Sequence, residues 1–404
     1  MRVAIIGGGA AGFFSAINVK ENFPNSEVYI YEKSNTFLAK VKISGGGRCN
    51  VTNGCKSISE LTKAYPRGAV YLKKAFKQFN NIDAFNWFQS RGVELVTQDD
   101  NCVFPKSQDS QSIIDCFLRE VKKLNIKIRT NCGVKYLHPN DSGINIEFSD
   151  ESIKNESFTK VIVTTGGSPQ KKGLNWLEYH GHKIENPVPS LFTFNMPQHP
   201  VNKLMGIVVE KTLVNIQNTK LKSVGPLLIT HWGMSGPAIL KLSSLGARIL
   251  NENDYNFNIQ VNWVAQGNEN LVHQYLNNIV DINGNKILAN FRPYNLPERL
   301  WFYLLEKINM PQNKKWQDLG NKGINKLSSI LTNDVYPVKG KSTFREEFVT
   351  CGGVSLQCVD ISTMQSKVRN NIYFAGEVLD IDAITGGFNF QAAWTTGFIA
   401  GKLG

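Results

Sequence analysis

The sequence predicts an α/β protein in which one parallel-sheet domain, assembled from both ends of the chain, carries an inserted β-rich domain and a helical subdomain. Three observations predict this architecture. Residues 2–22 have the pattern of a short buried strand, a glycine turn and a helix, and residues 371–401 repeat that order. Between them, residues 191–263 contain short alternating strands, whereas residues 268–332 place apolar side chains at helical spacing.

The first glycine turn has the spacing G-x-G-x-x-G between a strand and a helix that is expected to run from Phe13 to about Asn22. Gly7 allows the tight turn, Gly9 lets a pyrophosphate approach the backbone, and Gly12 lets the helix pack closely on the strand. The helix N-terminus then presents N–H groups to the phosphates. Glu32 follows the second strand, residues 27–31, and can accept both hydroxyls of an adenosine ribose. This segment predicts a site for an ADP-containing dinucleotide and leaves both FAD and NAD open.

Length and composition bound the class of protein. A chain of 404 residues is longer than a typical domain with a single hydrophobic core, so two or three domains are expected. No run of 18 apolar residues occurs, which argues against a membrane-spanning helix, and the early glycines fit a turn rather than a secretion signal. Seven cysteines without C-x-x-C spacing suit a reducing compartment and argue against a zinc site. We therefore expect a cytoplasmic protein without a metal or a membrane partner.

The net charge of +12 raises the question of nucleic acid binding. The basic residues are spread along the chain in short clusters such as Lys73-Lys74 and Lys122-Lys123, and a bound dinucleotide also brings negative charge to balance. We therefore expect a small-molecule substrate rather than a nucleic acid. The oligomeric state is not predicted.

A second glycine-rich stretch, residues 44–53, follows the second strand. So many glycines in succession suggest backbone lying against a flat or charged ligand. Arg48 could pair with a phosphate, and Asn50 or Asn53 could hydrogen-bond a ring edge. Lysines at 40 and 42 could also reach the ligand, although lysines near a loop are usually solvated. The alternative is a flexible surface loop.

The far end of the chain carries the features expected around a flavin. A short strand ends at Gly376, and Glu377 or Asp380 can bind ribityl hydroxyls. The backbone at Gly386-Gly387 and the N-terminus of the last helix can face the flavin N1–C2=O edge, where negative charge develops on reduction. The alternative is a packing unit without a ligand. Since no second G-x-G-x-x-G unit is evident, we expect FAD as the cofactor, with NADH or NADPH at most a transient donor.

The residues predicted to bind the cofactor are Gly7, Gly9, Ala10, Ala11, Gly12, Glu32, Lys33, Gly46, Arg48, Cys49, Asn50, Val134, Thr165, Gly166, Gly376, Glu377, Asp380, Gly386, Gly387, Phe388 and Asn389. The predicted domains are a two-dinucleotide-type, Rossmann-like FAD domain (1–187 and 344–404), an inserted β-rich domain (188–265 and 333–343) and a helical subdomain (266–332). Two prolines between residues 186 and 190 suggest the first boundary. Before this boundary, residues 157–163 are expected to form one strand.

Seven stretches together resemble a bacterial family of FAD-dependent oxidoreductases, those similar to aminoacetone oxidase or to 3-dehydro-bile-acid reductase. In chain order, the stretches are residues 7–12, 44–53, 104–107, 164–167, 230–237, 350–354 and 373–389. The resemblance implies the three-part architecture above and an oxidoreductase whose physiological substrate is mostly unassigned. Many relatives carry Gly-Ser-x-Gly-Asp-Gly after the Thr-Gly-Gly turn. Residues 168–176 depart from it, which puts in doubt any substrate contact made there.

We therefore predict hydride transfer between flavin N5 and a small unsaturated or carbonyl compound, or from an amine to the flavin. The substrate is expected between the flavin face and the inserted domain, lined by Phe104, Pro105 and the 230–235 turn by family analogy. His231, in that turn, is a weak candidate for a catalytic acid or base, and a structural histidine is its alternative.

Two other functions remain open from the sequence. One is a flavin thiol-disulfide reductase that uses Cys49 and Cys55, although their C-x5-C spacing differs from the C-x4-C of that class and a nicotinamide domain is missing. The other is an RNA-associated flavoprotein in which FAD is structural and the positive charge serves RNA.

Overall fold

The computed structural model describes residues 1–140, 142–342 and 349–404. The described residues form two compact units, one of residues 1–190 with 349–404 and the other of residues 191–342. The domain boundaries drawn from the sequence remain predictions, and the one expected between residues 343 and 344 lies outside the described residues.

The strands are β1 Arg2–Ile6, β2 Glu27–Tyr31, β3 Thr52–Asn53, β4 Leu95–Thr97, β5 Cys102–Pro105, β6 Lys127–Arg129, β7 Val134–Asn140, β8 Gly143–Phe148, β9 Glu156–Phe158, β10 Lys160–Val163, β11 Ile184–Ser190, β12 Thr193–Asn195, β13 Val208–Ile216, β14 Lys222–Thr230, β15 Gly233–Ser235, β16 Asn256–Asn262, β17 Asp334–Lys339, β18 Lys341–Ser342, β19 Val349–Val354, β20 Val359–Asp360, β21 Gln365–Ser366 and β22 Ile372–Phe374.

The α-helices are α1 Ala10–Asn22, α2 Ala39–Ile43, α3 Ile58–Lys63, α4 Ala69–Ala75, α5 Asn81–Gln89, α6 Gln111–Lys123, α7 Asn175–Tyr179, α8 Pro237–Leu245, α9 Ala247–Glu252, α10 Glu269–Asn283, α11 Glu298–Lys307, α12 Gly320–Thr332 and α13 Phe388–Ala400.

The first unit is built around a seven-stranded sheet in the order β20-β21-β22-β10-β1-β2-β6. Strands β22, β10, β1, β2 and β6 are parallel to one another, whereas β21 pairs antiparallel with both β20 and β22. Their sequences are nearly continuous runs of apolar residues, which is the composition of strands buried on both faces. Because parallel strands end at the same edge, the turns that follow β1, β10 and β22 are brought together there.

Two buried helices, α1 and α13, pack against each other beside this sheet, and small residues allow their close approach. A Cβ atom at Gly397 of α13 would lie 3.1 Å from the carbonyl oxygen of Ala11 in α1. A Cβ atom at Gly401, just past α13, would lie 2.6 Å from the Cβ of Asn18. Both helices are buried on all sides over most of their length, as expected for helices covered by other elements.

Three smaller sheets complete the first unit. They have the orders β3-β5-β4, β7-β8-β9 and β11-β19. The two prolines between residues 186 and 190 lie within strand β11, which pairs with β19 and has a register shift between Glu185 and Val188. Proline has no N–H to donate to a ladder, so within a sheet it is tolerated at such an irregularity, where Pro187 lies.

The second unit has a mixed composition of sheet and helix. Its antiparallel sheet has the order β17-β16-β13-β14-β15-β12-β18. Apolar residues of this sheet and of helices α8 and α10–α12 form one continuous core, in which Trp263, Trp301 and Trp316 are buried.

Some predicted elements differ in detail. The single strand expected over 157–163 is two strands, β9 and β10, which belong to different sheets. A short helix, α2, ends directly before the glycine-rich stretch of residues 44–53. The first helix begins at Ala10 rather than at Phe13, since the glycine turn itself enters the helix.

Candidate cofactor site

The first glycine turn is closely packed on one side and open on the other. Gly7 has φ +115°, and a Cβ atom there would lie 2.4 Å from the carbonyl oxygen of Thr164, at the end of β10. A Cβ atom at Gly12 would lie 2.0 Å from the carbonyl oxygen of Gly7. A Cβ atom at Gly9 would meet no atom within 4 Å. Gly7 and Gly12 are therefore required by the fold, whereas Gly9 leaves space for a ligand.

Glu32 is held beside this turn by backbone N–H groups. Its Oε2 accepts a 2.8 Å hydrogen bond from Gly8 N, and its Oε1 accepts one of 2.9 Å from Ser34 N. Lys33 is exposed. The chain before β7 returns to this point, because Cys132 N donates to the Glu32 carbonyl oxygen at 2.9 Å, two residues before Val134. Glu32, Lys33 and the start of β7 therefore lie together at the carboxyl end of β2.

The loop after α2 contains three glycines in the left-handed region, with φ +58° at Gly45, +68° at Gly46 and +84° at Gly47. A Cβ atom at Gly46 or Gly47 would meet no neighbour within 4 Å. Arg48 lies over the Phe104 ring at 4.2 Å, and its Nε donates to the Gly45 carbonyl oxygen at 3.1 Å. The guanidinium thus has partners within the protein, whereas Gly46 and Gly47 leave open space beside the backbone.

This loop is hydrogen-bonded to the glycine turn near the end of the chain. Asn53 Nδ2 donates to the Gly386 carbonyl oxygen at 3.0 Å. The side-chain amide of Asn50 is oriented so that its oxygen and its nitrogen both find partners. Its oxygen accepts a 3.2 Å hydrogen bond from Gly387 N, and its nitrogen donates to the Thr52 carbonyl oxygen at 3.0 Å. These contacts bring the two glycine-rich segments predicted to flank the flavin into one site.

The end of β22 lies against the start of α1. Gly376 has φ +78°, and a Cβ atom there would lie 2.7 Å from the Cβ of Ala11. Gly376 N donates to Thr396 Oγ1 at 2.9 Å. The predicted cofactor residues Ala10, Ala11 and Gly376 therefore meet at the carboxyl edge of the sheet.

Glu377 is fixed by two partners that the sequence did not predict. Its Oε1 accepts a hydrogen bond from Thr350 N at 2.8 Å, and its Oε2 forms an ion pair with Lys40 Nζ at 2.8 Å. One sequence feature pointed toward this pair, namely that Lys40 precedes the glycine-rich loop. The two residues are separated by 337 positions, so local patterns do not reveal their contact.

The remaining predicted residues fall into two groups. Thr165 is exposed. Gly166 has φ +75°, and a Cβ atom there would meet no atom within 4 Å, so both residues face away from the packed core. Phe388 is buried and Asn389 closes a turn, because its Oδ1 accepts from Ala383 N at 2.9 Å. Asp380 precedes this turn in the chain, and its backbone N–H donates to the Val354 carbonyl oxygen at 2.9 Å.

The two cysteines of the thiol-disulfide alternative are not arranged as a redox pair. Cys49 is fully buried, and burial raises the pKa of its thiol to about 12. Burial also raises the pKa of Cys55, and the Cys55 thiol donates to Asn53 Oδ1 at 2.9 Å. Neither forms a disulfide. Since the thiolate is the reactive form, this geometry disfavours that alternative.

His231 lies in the second unit, in the turn between β14 and β15. Its side chain is exposed, and its ring lies 4.0 Å from that of Trp232. Its catalytic role remains a prediction.

The residues fit an FAD molecule on three structural grounds. Helices α1 and α13 both begin after a glycine without a side-chain cap, so their first N–H groups are available to an anion or a ring edge. Gly9, Gly46, Gly47 and Gly166 leave open space. Thr350 Oγ1, buried beside Glu377, has no hydrogen-bond partner among the residues that the structure describes.

Fold and site define a class of protein, the flavoprotein oxidoreductases with a Rossmann FAD-binding fold. The chain belongs to the family described as HI0933-like protein Rossmann domain, whose profile matches residues 1–403. The predicted fold class, cofactor type and family resemblance are thereby confirmed. No helix among the described residues has the length and apolar character needed to cross a membrane.

Several known proteins are similar over nearly their whole length. The 3-dehydro-bile acid delta(4,6)-reductase of Clostridium scindens is 25% identical over 99% of this chain and 98% of its own. The ribosomal RNA dihydrouridine synthase of Escherichia coli is 26% identical over 97% of this chain and 95% of its own. Among solved structures, the 3-ketosteroid-delta4-(5alpha)-dehydrogenase of Rhodococcus jostii matches with a TM-score of 0.54 at 11% identity, over 99% and 95% of the two chains, which supports the fold alone.

Proposed function

We propose that this protein uses FAD to reduce a carbon–carbon double bond that is conjugated to a carbonyl group. The names of both enzyme relatives support this substrate class. One reduces the delta(4,6) double bonds of a 3-oxo bile acid, and the other makes dihydrouridine, which is uridine with its C5=C6 bond reduced. In both substrates a carbonyl activates the double bond toward hydride addition.

The observation that carries the proposal is the hydrogen-bonded closure of the 44–53 loop on the turn that begins α13, through Asn53 and Gly386. In the proposed complex the pyrimidine edge of the flavin would face the uncapped N-terminus of α13, whose positive dipole end would stabilise the reduced cofactor. When bound, FAD supplies hydride transfer through its N5 atom.

The surrounding residues would then bind and orient the cofactor. Glu32 would accept the ribose hydroxyls, and the open backbone at Gly9 would contact the pyrophosphate. Glu377, held by Lys40 and Thr350 N, would accept hydroxyls of the ribityl chain. The reduction also consumes one proton, and His231 remains our candidate for its delivery.

The source of electrons is proposed to be NADH or NADPH that docks transiently. Among the described strands, every parallel ladder belongs to the single sheet around β1. A second dinucleotide-binding sheet is therefore not available in this part of the chain, and the nicotinamide would have to reach the flavin directly. A cytoplasmic location, where both donors occur, likewise remains a proposal.

A second candidate for the substrate is uridine within RNA, and the charge distribution favours it. Residues 191–342 carry 16 Lys and Arg against 9 Asp and Glu, so this unit supplies +7 of the net charge of +12. A polyanion would be attracted to such a unit, whereas a neutral enone would gain nothing from it.

The test is an anaerobic reoxidation experiment. The FAD-loaded protein is reduced with dithionite, desalted and mixed with 4-androstene-3,17-dione, its saturated analogue, or a uridine-containing RNA. Return of the oxidised-flavin absorbance with the enone or the RNA, together with uptake of two hydrogen atoms by that substrate in mass spectra, is the expected result. The proposal would be contradicted if the reduced flavin reacted with neither the enone nor the RNA and was reoxidised only after oxygen was admitted. Reoxidation by the saturated ketone as fast as by the enone would also contradict it.

A further inference from the structure

The ion pair between Lys40 and Glu377 is held in place from both ends of the chain. The helix that carries Lys40 begins after Leu38, whose N–H donates to the Gly8 carbonyl oxygen at 2.8 Å. Glu377 directly follows Gly376, whose backbone lies against the start of α1. Both charges therefore stand beside the first glycine turn, at the edge of the sheet where the cofactor is expected.

The carboxylate of Glu377 has fixed partners and spare hydrogen-bonding capacity. Lys40 Nζ lies 2.8 Å from its Oε2, and Thr350 N donates to its Oε1 at 2.8 Å. A Cβ atom at Gly167 would lie 2.8 Å from the same Oε1, so the turn after β10 also approaches this group. A carboxylate has about four lone-pair positions, so about two remain for a ligand. The side chain is 20% exposed, which leaves that ligand an approach.

Lys42 lies on the same short helix and meets a different element. Its Nζ donates to Gln111 Oε1 at 3.1 Å and lies 3.8 Å from Asp109 Oδ1, beside the start of α6. Residues two positions apart on a helix do not share a face. Both lysine side chains are 53% exposed, and each has a carboxylate partner. Lys40 and Lys42 therefore differ in what they contact, and not in charge or exposure.

The segment that follows Lys40 makes further contacts with the far end of the chain. Asn50 accepts from Gly387 N, and Asn53 donates to the Gly386 carbonyl oxygen. Lys40 supplies another contact of this kind at the other end of the same segment. Residues 38–53 thus connect the first glycine turn with both parts of the site predicted to flank the flavin.

We propose that Lys40 is a positioning residue that raises the reduction potential of the bound flavin by neutralising Glu377. This inference rests on the proposed function, because it requires FAD in this site. A carboxylate that accepts ribityl hydroxyls would lie near the flavin N1 atom, since the ribityl chain leaves the ring system at N10 and a single ring carbon separates N10 from N1. Negative charge develops at N1 on reduction, so an uncompensated carboxylate there would oppose it, and a cation beside the carboxylate offsets this effect.

The pair separates two properties of Glu377 that would otherwise conflict. Its oxygens are acceptors that suit the hydroxyls of a sugar chain, whereas its charge alone disfavours electron uptake by a neighbouring ring. Because an ion pair with an exposed lysine adds little to folding stability, stability does not explain this contact. With Lys40 in place, the protein keeps the acceptors and cancels most of the charge.

The test compares Lys40→Gln with Lys42→Gln, which removes an equally exposed positive charge from the same helix. FAD affinity is measured by fluorescence titration of the apoprotein. The midpoint potential of the FAD-loaded protein is measured by slow anaerobic reduction with xanthine and xanthine oxidase beside a reference dye. Lys40→Gln should weaken FAD binding about tenfold and lower the potential by about 30 mV, which is a tenfold change in the equilibrium of a two-electron couple. Lys42→Gln should change both equilibria by less than about twofold, and Lys40→Arg should restore both.

Two further variants give the sign of the effect. Glu377→Gln removes the negative charge and leaves Lys40, so the potential should rise by a similar amount while FAD affinity falls. The double variant K40Q/E377Q lacks both charges, and its potential should return close to that of the unaltered protein. A purely structural role of the ion pair would lower FAD affinity without these opposite shifts.

The remaining outcomes overturn the inference or the function on which it rests. Equal effects of Lys40→Gln and Lys42→Gln would overturn the role of Lys40, as would potential shifts of the same sign in Lys40→Gln and Glu377→Gln. Failure of the unaltered protein to bind FAD would reject the cofactor and this role together. If the reduced protein transferred no electrons to the enone or the RNA, yet the opposite potential shifts were present, the proposed reductase activity would be rejected and the role of Lys40 would stand.

Discussion

Asn53 Nδ2 donates a 3.0 Å hydrogen bond to the carbonyl oxygen of Gly386, a residue 333 positions further along the chain. Asn53 is nearly fully buried, and its Oδ1 also accepts from Cys55 N at 3.1 Å. One side chain therefore ties the loop after α2 to the turn before α13. The geometry of the candidate flavin site depends on this tie.

Replacing this side chain should release the two segments from each other. We expect Asn53→Ala to lower the free energy of unfolding by about 1–3 kcal/mol, because buried partners lose their hydrogen bonds. It should also lower the amount of FAD retained after dialysis, measured by visible absorbance. Asn80→Ala, which removes a helix cap elsewhere, should destabilise by about 1 kcal/mol and keep FAD. Equal FAD loss in both variants would show that stability alone governs retention.

Two glycines of the first turn should respond differently to alanine. In Gly9→Ala the new Cβ meets no protein atom, so the apoprotein should keep its melting temperature while FAD affinity falls at least tenfold. In Gly12→Ala the Cβ would lie 2.0 Å from the Gly7 carbonyl oxygen, so folding itself should suffer. Thermal melts of the apoproteins and FAD titrations separate the two effects. Gly267→Ala, on an open surface, serves as the control, and full FAD affinity in Gly9→Ala would refute the assigned role.

A buried histidine should make stability depend on pH. His182 is hydrogen-bonded to the Leu177 carbonyl oxygen and to Ser366 Oγ, and burial lowers its pKa from the usual 6.5. Below pH 6.5 the unfolded chain binds a proton that the folded protein does not, so stability falls as the pH decreases. The slope for this group should approach about 1.4 kcal/mol per pH unit.

Urea unfolding between about pH 7.5 and about pH 5.5 measures this slope. His182→Gln should make this slope shallower by the part that His182 contributes, because burial also lowers the pKa of His180 and of His199. A slope unchanged in His182→Gln would assign the whole effect to other groups.

Thiol chemistry should not contribute to turnover. Because burial keeps the Cys49 thiol protonated and Cys55 is bonded to Asn53, we expect Cys55→Ser to retain flavin reoxidation by the enone within about twofold. Stopped-flow absorbance gives the rate. A loss of a hundredfold or more in this variant would restore the disulfide-reductase alternative.

The sequence predicted those parts of the site that local spacing encodes. The turn from Gly7 to Gly12 and the acid at Glu32 belong to one strand–helix–strand unit, so their spacing along the chain defines their spacing in space. The same holds for β22 and α13. The predicted family resemblance depended on these same local motifs.

Contacts between distant segments could not be read in this way. The ion pair of Lys40 with Glu377 joins residues that no periodicity relates, and both side chains taken alone resemble solvated charges. The contact of the Arg48 guanidinium with the Phe104 ring depends on how β5 packs beside the loop, whereas its pairing with a phosphate stays a prediction. The division of 157–163 into β9 and β10 also follows from which sheet each half joins.

The order of strands in the main sheet has a consequence for synthesis. Strand β22 pairs with β10, although some 200 residues are translated between them, and only then can α13 pack on α1. Until that late segment leaves the ribosome, the nascent chain exposes an apolar sheet edge and an incomplete nucleotide cradle. Chains that stop before β22 should therefore fail to hold FAD, remain colourless and be readily proteolysed.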